Sequence, residues 1–366
     1  MPARVSILGA GNGGCAIAAD LLRRGIACTL YDLPSFDAVV APIREAGVLR
    51  LSGVLGDVTV AAPRVTTEIR EAMQDADVLL IAVPAFAQVT FAETCAPFLR
   101  EGQVVVLTPG STGGALAVAE ALRRAGRLEG ITLAETLSLP FACRKVDPVH
   151  VHVSGVKHDL PIAAFPASRS GRVAQVLDGI FPAGLTVAAN VLETSLNNLN
   201  AMAHLVPALL NAGWIETTGG DFRFYNDGVS PSVARAMDAA DRDRLAVVTA
   251  LGLPAVPATE WDRRLYGLVG ETTYELNRAS WVHRDIRAPK ELRSRYLTED
   301  VPFGLVPIAS IARELGIATP TIDLVIDLAS LLVDEDLRAA GRTAASLGLA
   351  GRTADEMVEF VETGRA

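Results

Sequence analysis

The stretch that most limits what this chain can become is its first 32 residues. A hydrophobic run, Val5-Ser6-Ile7-Leu8, leads into Gly9-Ala10-Gly11-Asn12-Gly13-Gly14. An apolar helical pattern follows, then Ala27-Cys28-Thr29-Leu30-Tyr31, ending on Asp32. Strand, glycine turn, helix, strand and terminal acid in this order and spacing make a dinucleotide-binding βαβ unit. Gly9 permits the tight turn, Gly11 lets the backbone approach a pyrophosphate, and Gly14 lets helix and strand pack closely, with Gly13 as slack. A helix starting near Asn12 offers free N–H groups to phosphate. Asp32 can accept hydrogen bonds from both hydroxyls of an adenosine ribose, whereas a 2′-phosphate would meet like charge there. Leu33-Pro34-Ser35 supplies no arginine to offset that repulsion. NAD is therefore the expected cofactor. NADP stays open, because Arg50 or another distant base could reach the phosphate pocket.

Further strand patterns run from Val58 to Ala61, Val78 to Val83, Val104 to Thr108, Ile131 to Ala134, Val151 to Ser154 and Ile162 to Phe165. Helical patterns such as Ala115 to Arg124 separate the stronger ones. This alternation predicts an α/β fold, a Rossmann-type dinucleotide-binding domain built on a mostly parallel sheet covered by helices. Near residue 186 the texture changes and long helical patterns take over, at 192–210, 242–251, 306–315 and 322–332. The expected division is a dinucleotide-binding domain over 1–185 and a mainly α-helical catalytic domain over 186–366. The Ala/Gly-rich tail after Ala340 is expected at the surface. Pro84 to Ala87 and Thr108 to Thr112 follow strands at the carboxyl edge of the sheet, where ligands bind, and Pro84 is taken as a cofactor contact. The glycines of Pro109-Gly110-Ser111-Thr112-Gly113-Gly114 either admit an anion to exposed amides or form an ordinary loop.

The best catalytic candidate is His204. Asn197, Asn200, His204 and Asn211 are spaced to share one face of a helix. A core helix does not bury such a row without partners, so a polar stripe along a cleft explains it. Histidine can give or take the proton that accompanies hydride transfer near neutral pH, and Asn200 could orient it or hold substrate. Asp300, in Arg295-Tyr-Leu-Thr-Glu-Asp300-Val-Pro-Phe-Gly304, is the strongest distant candidate for an orienting acceptor. Arg295 could clamp a carboxylate through its two-pronged guanidinium. His150 and His152 share a strand face but lack a carboxylate or cysteine complement, so no metal is expected.

Composition narrows the classes. A net charge of −9, from 33 basic and 42 acidic residues, argues against nonspecific nucleic-acid binding. No apolar run reaches the length of a spanning helix, so no membrane partner is expected. The 4 cysteines form no metal-ligand spacing, and with no signal-peptide pattern a reducing cytoplasm is the simplest location.

Four segments together carry a resemblance. They are Gly9-Ala-Gly-Asn-Gly-Gly14, Glu135-Thr-Leu-Ser-Leu-Pro-Phe-Ala-Cys143-Arg144, Asn197-Asn-Leu-Asn-Ala-Met-Ala-His204 and Arg295-Tyr-Leu-Thr-Glu-Asp300-Val-Pro-Phe-Gly304. In these the chain resembles the octopine/nopaline, or opine, dehydrogenases over nearly its full length. The resemblance implies an NAD(P)-dependent enzyme acting on a CH–NH bond. Such enzymes reduce the imine formed from an α-keto acid and an amino acid, and oxidise the product in reverse. It implies His204 and Asp300 as a catalytic dyad, Arg295 as the keto-acid clamp, and Glu135 and Thr136 along the amino-acid side. A homodimer is left open. Two rivals share the same residues: a dehydrogenase of hydroxy acids or small alcohols, and a non-catalytic nucleotide sensor.

Overall fold

Strands β1 (Val5–Leu8), β6 (Val78–Ile81) and β7 (Val104–Leu107) are buried at every position. Strands covered on both faces have no need of polar alternation, and parallel sheets are covered in this way. The computed structural model describes residues 3–365. Its remaining strands are β2 (Cys28–Tyr31), β3 (Val48–Gly53), β4 (Val58–Ala61), β5 (Arg64–Thr66), β8 (Thr132–Thr136), β9 (Phe141–Asp147), β10 (His150–Val156), β11 (Leu160–Phe165) and β12 (Leu185–Val187). One sheet of 8 strands has the order β12-β11-β8-β7-β6-β1-β2-β5. All its pairs are parallel except β8 with β11. The fold is α/β, as the alternation of strands and helices indicates.

The sheet is not covered by helices alone. A second sheet, β4-β3-β10-β9, joins the first around helix α1 (Asn12–Arg23). Residues 13 to 21 of α1 are all buried, because the helix has apolar strands on two sides. Strands β4 and β9 form the edges of this small sheet, and β3 and β10 pair in parallel at its centre.

The described chain divides into two units. The first holds residues up to Gly110, then Gly114–Val191 and Glu362–Gly364; the second holds Ser111–Gly113 and Leu192–Val361. The main change therefore falls after Val191, later than the expected 185. The physical reason is β12, which pairs in parallel with β11 and so extends the first unit's sheet. The second unit is helical, with Pro231–Ala250, Val306–Glu314 and Pro320–Val333 as its longer helices. Its tail corrects one expectation. Ala344, Leu347, Leu349, Met357, Phe360 and Val361 are buried, so the segment after Ala340 helps build the core of that unit.

Candidate active site

The first unit builds a glycine loop between β1 and α1. Gly9 has φ +107°, and a Cβ there would lie 2.5 Å from Val83 Cγ1 and 2.8 Å from the Ala82 carbonyl oxygen. Gly14 is tighter still, since a Cβ would sit 1.8 Å from the Gly9 oxygen. Gly13 is not slack, because it packs beneath the Leu139 side chain. Around Gly11 a Cβ would meet nothing within 4 Å, so the loop has open space at the position where a pyrophosphate needs it. No side chain caps the N-terminus of α1, which leaves its first N–H groups to a ligand. These features fit a dinucleotide phosphate.

Asp32 is nearly buried beside this loop. Its Oδ2 accepts from the Ala10 N–H at 2.8 Å and its Oδ1 from the Leu33 N–H at 2.9 Å. Burial raises its pKa above the ordinary carboxylate value, with the two amides and the charge of Lys145 acting against that rise. The Asn12 side chain is committed to the fold, since its Oδ1 accepts from the Lys145 N–H at 2.9 Å. Its exposed place at the head of α1 remains available to a cofactor. Pro84 follows β6 and leads the short turn Ala85–Ala87, half-buried.

In the second unit His204 and Asp300 come together. His204 Nδ1 lies 2.8 Å from Asp300 Oδ2, and the two side chains are 22% and 12% exposed. The carboxylate fixes Nδ1 as the protonated nitrogen. Nε2 is then an acceptor, without a hydrogen-bond partner among the described residues. Tyr296 stacks on the imidazole at 4.5 Å, and the Tyr225 ring lies 6.4 Å away. Burial pushes the Tyr225 phenol well up, and the charges of Tyr296 and Asp300 add to this.

The backbone explains the juxtaposition. His204 lies within one wide π-helical turn, Ala201–Leu205, and Asp300 immediately precedes another, Val301–Leu305. Each turn runs into the same triplet, Leu205-Val206-Pro207 and Leu305-Val306-Pro307. A proline has no N–H and its ring crowds the carbonyl four residues back, so the preceding turn widens. The Leu305 N–H reaches back to the Asp300 oxygen at 3.0 Å, and the Phe303 carbonyl that Pro307 cannot satisfy accepts from Thr112 N–H at 3.2 Å. The turns touch at Gly304, where a Cβ would lie 2.8 Å from Ala201 Cβ. Sequence reasoning missed this device, although the repeated Leu-Val-Pro was in plain view.

Other expected residues fall elsewhere. The predicted helix at 192–210 is broken after Leu196, so the asparagine row does not share one face. Asn197 is fully buried: its Oδ1 accepts from Arg244 at 2.6 Å and from Trp261 at 3.3 Å. Asn198 Oδ1 takes the Asn200 N–H, an alternative to the helical bond. Asn211 donates to the Pro207 and Gly228 carbonyls. Asn200 itself is half-buried, and its side-chain amide makes no hydrogen bond among the described residues.

Glu135 and Thr136 lie at the end of β8. Both are fully buried; Glu135 accepts the Ala115 N–H at 2.8 Å, and Thr136 donates to the Ser138 carbonyl at 2.8 Å. The Glu135 bond ties β8 to the start of the helix Gly114–Arg124. The Gly110–Gly113 loop offers no anion nest either. The N–H groups of Gly110, Thr112 and Gly113 are taken by Thr136, Phe303 and Ser195. Arg295 bonds Glu299, Nε to Oε2 at 2.7 Å, and its side chain is 63% exposed. His150 Nε2 and His152 Nδ1 both bond the Ser52 hydroxyl.

A dinucleotide loop and a carboxylate-held imidazole with a free Nε2 define a class, the nicotinamide-dependent dehydrogenases. The comparisons narrow it. The family described as NAD/NADP octopine/nopaline dehydrogenase, alpha-helical domain, matches residues 187–333, and ketopantoate reductase PanE/ApbA matches residues 5–166. The chain is 38% identical to an opine dehydrogenase of Arthrobacter sp. (strain 1C), covering 98% of each. Two solved structures of octopine dehydrogenase, with NADH and L-arginine and with NADH and pyruvate, share the fold. They superpose with TM-scores of 0.76 and 0.74 at 20% identity, over 100% of this chain and 98% of each of theirs. The chain belongs to the octopine/nopaline, or opine, dehydrogenase family, and is an NAD(P)-dependent oxidoreductase acting on CH–NH bonds.

Proposed function

We propose that this enzyme joins an α-keto acid to the amino group of an amino acid by reducing their imine, and runs the oxidation in reverse. The hydrogen bond between His204 Nδ1 and Asp300 Oδ2, at 2.8 Å, carries the reading. A reduced nicotinamide supplies the hydride when bound. The dinucleotide would lie on the amides after Gly11, with its adenosine ribose at Asp32. The keto acid and the amine lose water to form the C=N bond, and reduction adds hydride to carbon and a proton to nitrogen. His204 in its imidazolium form would give that proton from Nε2, while Asp300 holds the ring's orientation and stabilises its charge. Arg295, steadied by Glu299, would orient the keto-acid carboxylate. Asn200, with its amide unspent, would hold substrate near the same turn.

The chain's relatives support these substrate classes, since the octopine dehydrogenase structures are described with L-arginine and with pyruvate. Four free cysteines suit a reducing compartment, which we propose to be the cytoplasm. No described helix is long and apolar enough to cross a membrane.

The test is oxidation of NADH and NADPH with pyruvate or 2-oxoglutarate against a panel of amino acids, with product mass read in parallel. The expected result is amine-dependent turnover and a product equal to keto acid plus amino acid minus one oxygen. Oxidation with keto acid alone, indifferent to every amine, would move the enzyme to simple keto-acid reduction, the chemistry named in the family matched at residues 5–166.

A further inference from the structure

The acid that ends β2 leaves a question of selectivity. Asp32 disfavours a 2′-phosphate, and Leu33-Pro34-Ser35 brings no cation. The small sheet brings one. Lys145, on β9, is fixed by its own N–H to Asn12 Oδ1 at 2.9 Å, which ties this strand to the head of α1. Its side chain crosses back over the glycine loop, where Nζ lies 3.4 Å from the Ala10 carbonyl oxygen. Ala10 is also the residue whose N–H binds Asp32 at 2.8 Å, so carboxylate and ammonium bond the two successive peptide units that meet at Ala10. An ammonium has three donors. Lys145 forms no ion pair among the described residues, and its ammonium meets only neutral partners there, that carbonyl and the Cys15 thiol. The Cys15 thiol shares the same oxygen at 3.2 Å and offers no charge to compete.

We infer that Lys145 is the residue by which this enzyme accepts a 2′-phosphate, binding that group of NADP(H) beside Asp32. This rests on the dinucleotide assignment and deepens it. Its charge also holds down the Asp32 carboxyl, which places the two groups within electrostatic reach of each other. Approach of a phosphate dianion between them is then opposed by one charge and favoured by the other, so both cofactors are usable. Selectivity comes from a strand more than a hundred residues downstream of the ribose acid, not from the usual position just after it. A pyrophosphate role is less well placed: the amides after Gly11 already provide for that group, and Lys145 stands on the Ala10 side of the loop.

The experiment is direct titration of NADH and NADPH into the full-length protein, following the cofactor's own fluorescence. Adenosine 2′,5′-bisphosphate and 5′-AMP serve as competing fragments, and the proteins compared are the wild type, Lys145→Ala and Lys145→Arg. Loss of a charge-assisted bond should weaken NADPH and the bisphosphate about ten-fold or more. NADH and 5′-AMP should move by less than about three-fold, within the scatter of long-range charge effects. Lys145→Arg should restore NADPH binding. Equal weakening of both cofactors would overturn the inference in favour of a pyrophosphate or purely structural role, as would no change in either. If the wild type binds neither dinucleotide, the cofactor reading itself fails. If it binds both and Lys145→Ala leaves their ratio alone, only the role of Lys145 fails.

Discussion

The two units solve the problem of placing polar groups in opposite ways. In the first, the ligand loop is made of backbone. Gly9 and Gly14 hold their places by having no side chain, and the working groups are amides at a helix end. In the second, the working groups are side chains, and the backbone is distorted to present them. His204 and Asp300 meet because two proline-widened turns touch at a glycine. A site built from amides has a sequence signature of fixed spacing. A site built from two segments about a hundred residues apart has none until the fold closes.

The comparison breaks first at His204. Replacing it with alanine should lower kcat by about 10²- to 10⁴-fold, the usual worth of a positioned acid/base, while leaving NADH affinity as it was, because no group of the loop is touched. Retention of wild-type kcat with an identified substrate pair would end the dyad's role. A second test asks what holds the distorted unit. Arg244 is fully buried and donates to Asp241, Asn197, Leu196 and Val256. Arg244→Ala removes the bonds that fix the broken helix and leaves Asp241 without its ion pair. The cost should be about 3–5 kcal/mol, read as a lower urea midpoint, with substrate use lost before NADH binding. A midpoint within error of wild type would show that the break after Leu196 needs no such brace.

The smallest effect separates backbone from side chain within the loop. Burial raises the Asp32 pKa, so on acidification it protonates before ordinary surface carboxylates do. Because the folded value is the higher one, folding stability contributed by Asp32 does not fall as pH drops; it rises slightly. Binding has the opposite sign: the neutral acid loses acceptor strength toward the ribose. NADH affinity should therefore weaken by roughly two- to five-fold as pH falls toward the carboxylate range. Asp32→Asn should flatten the profile. A steep profile in that variant would assign the titration to another group.

Legibility followed the same division. The βαβ unit could be read from spacing alone, as could strands such as β6 and β7, whose unbroken apolar runs leave little choice of burial. The small sheet was less visible. In β3 and β9 exposed Arg50 and Arg144 interrupt the apolar positions, which makes half-solvated strands look like loop. In the second unit the residue types of the dyad were legible, and so was the family, from segments far apart in the chain. The asparagine row misled, because periodicity assumes an unbroken helix and Arg244 pulls Asn197 out of it. The local bond of Glu135, whose carboxylate accepts the Ala115 N–H, was not legible from the family-like segment that contains it.

The repeated Leu-Val-Pro has an engineering consequence. The spacing of the dyad is stored in two main-chain turns and one missing methyl at Gly304, not in the histidine and aspartate that display it. Grafting the two side chains onto a pair of regular helices would copy the chemistry without its ruler. Whoever wishes to transplant this histidine–aspartate pair should carry over the twin prolines and the glycine, and can then choose the surrounding side chains for a new substrate.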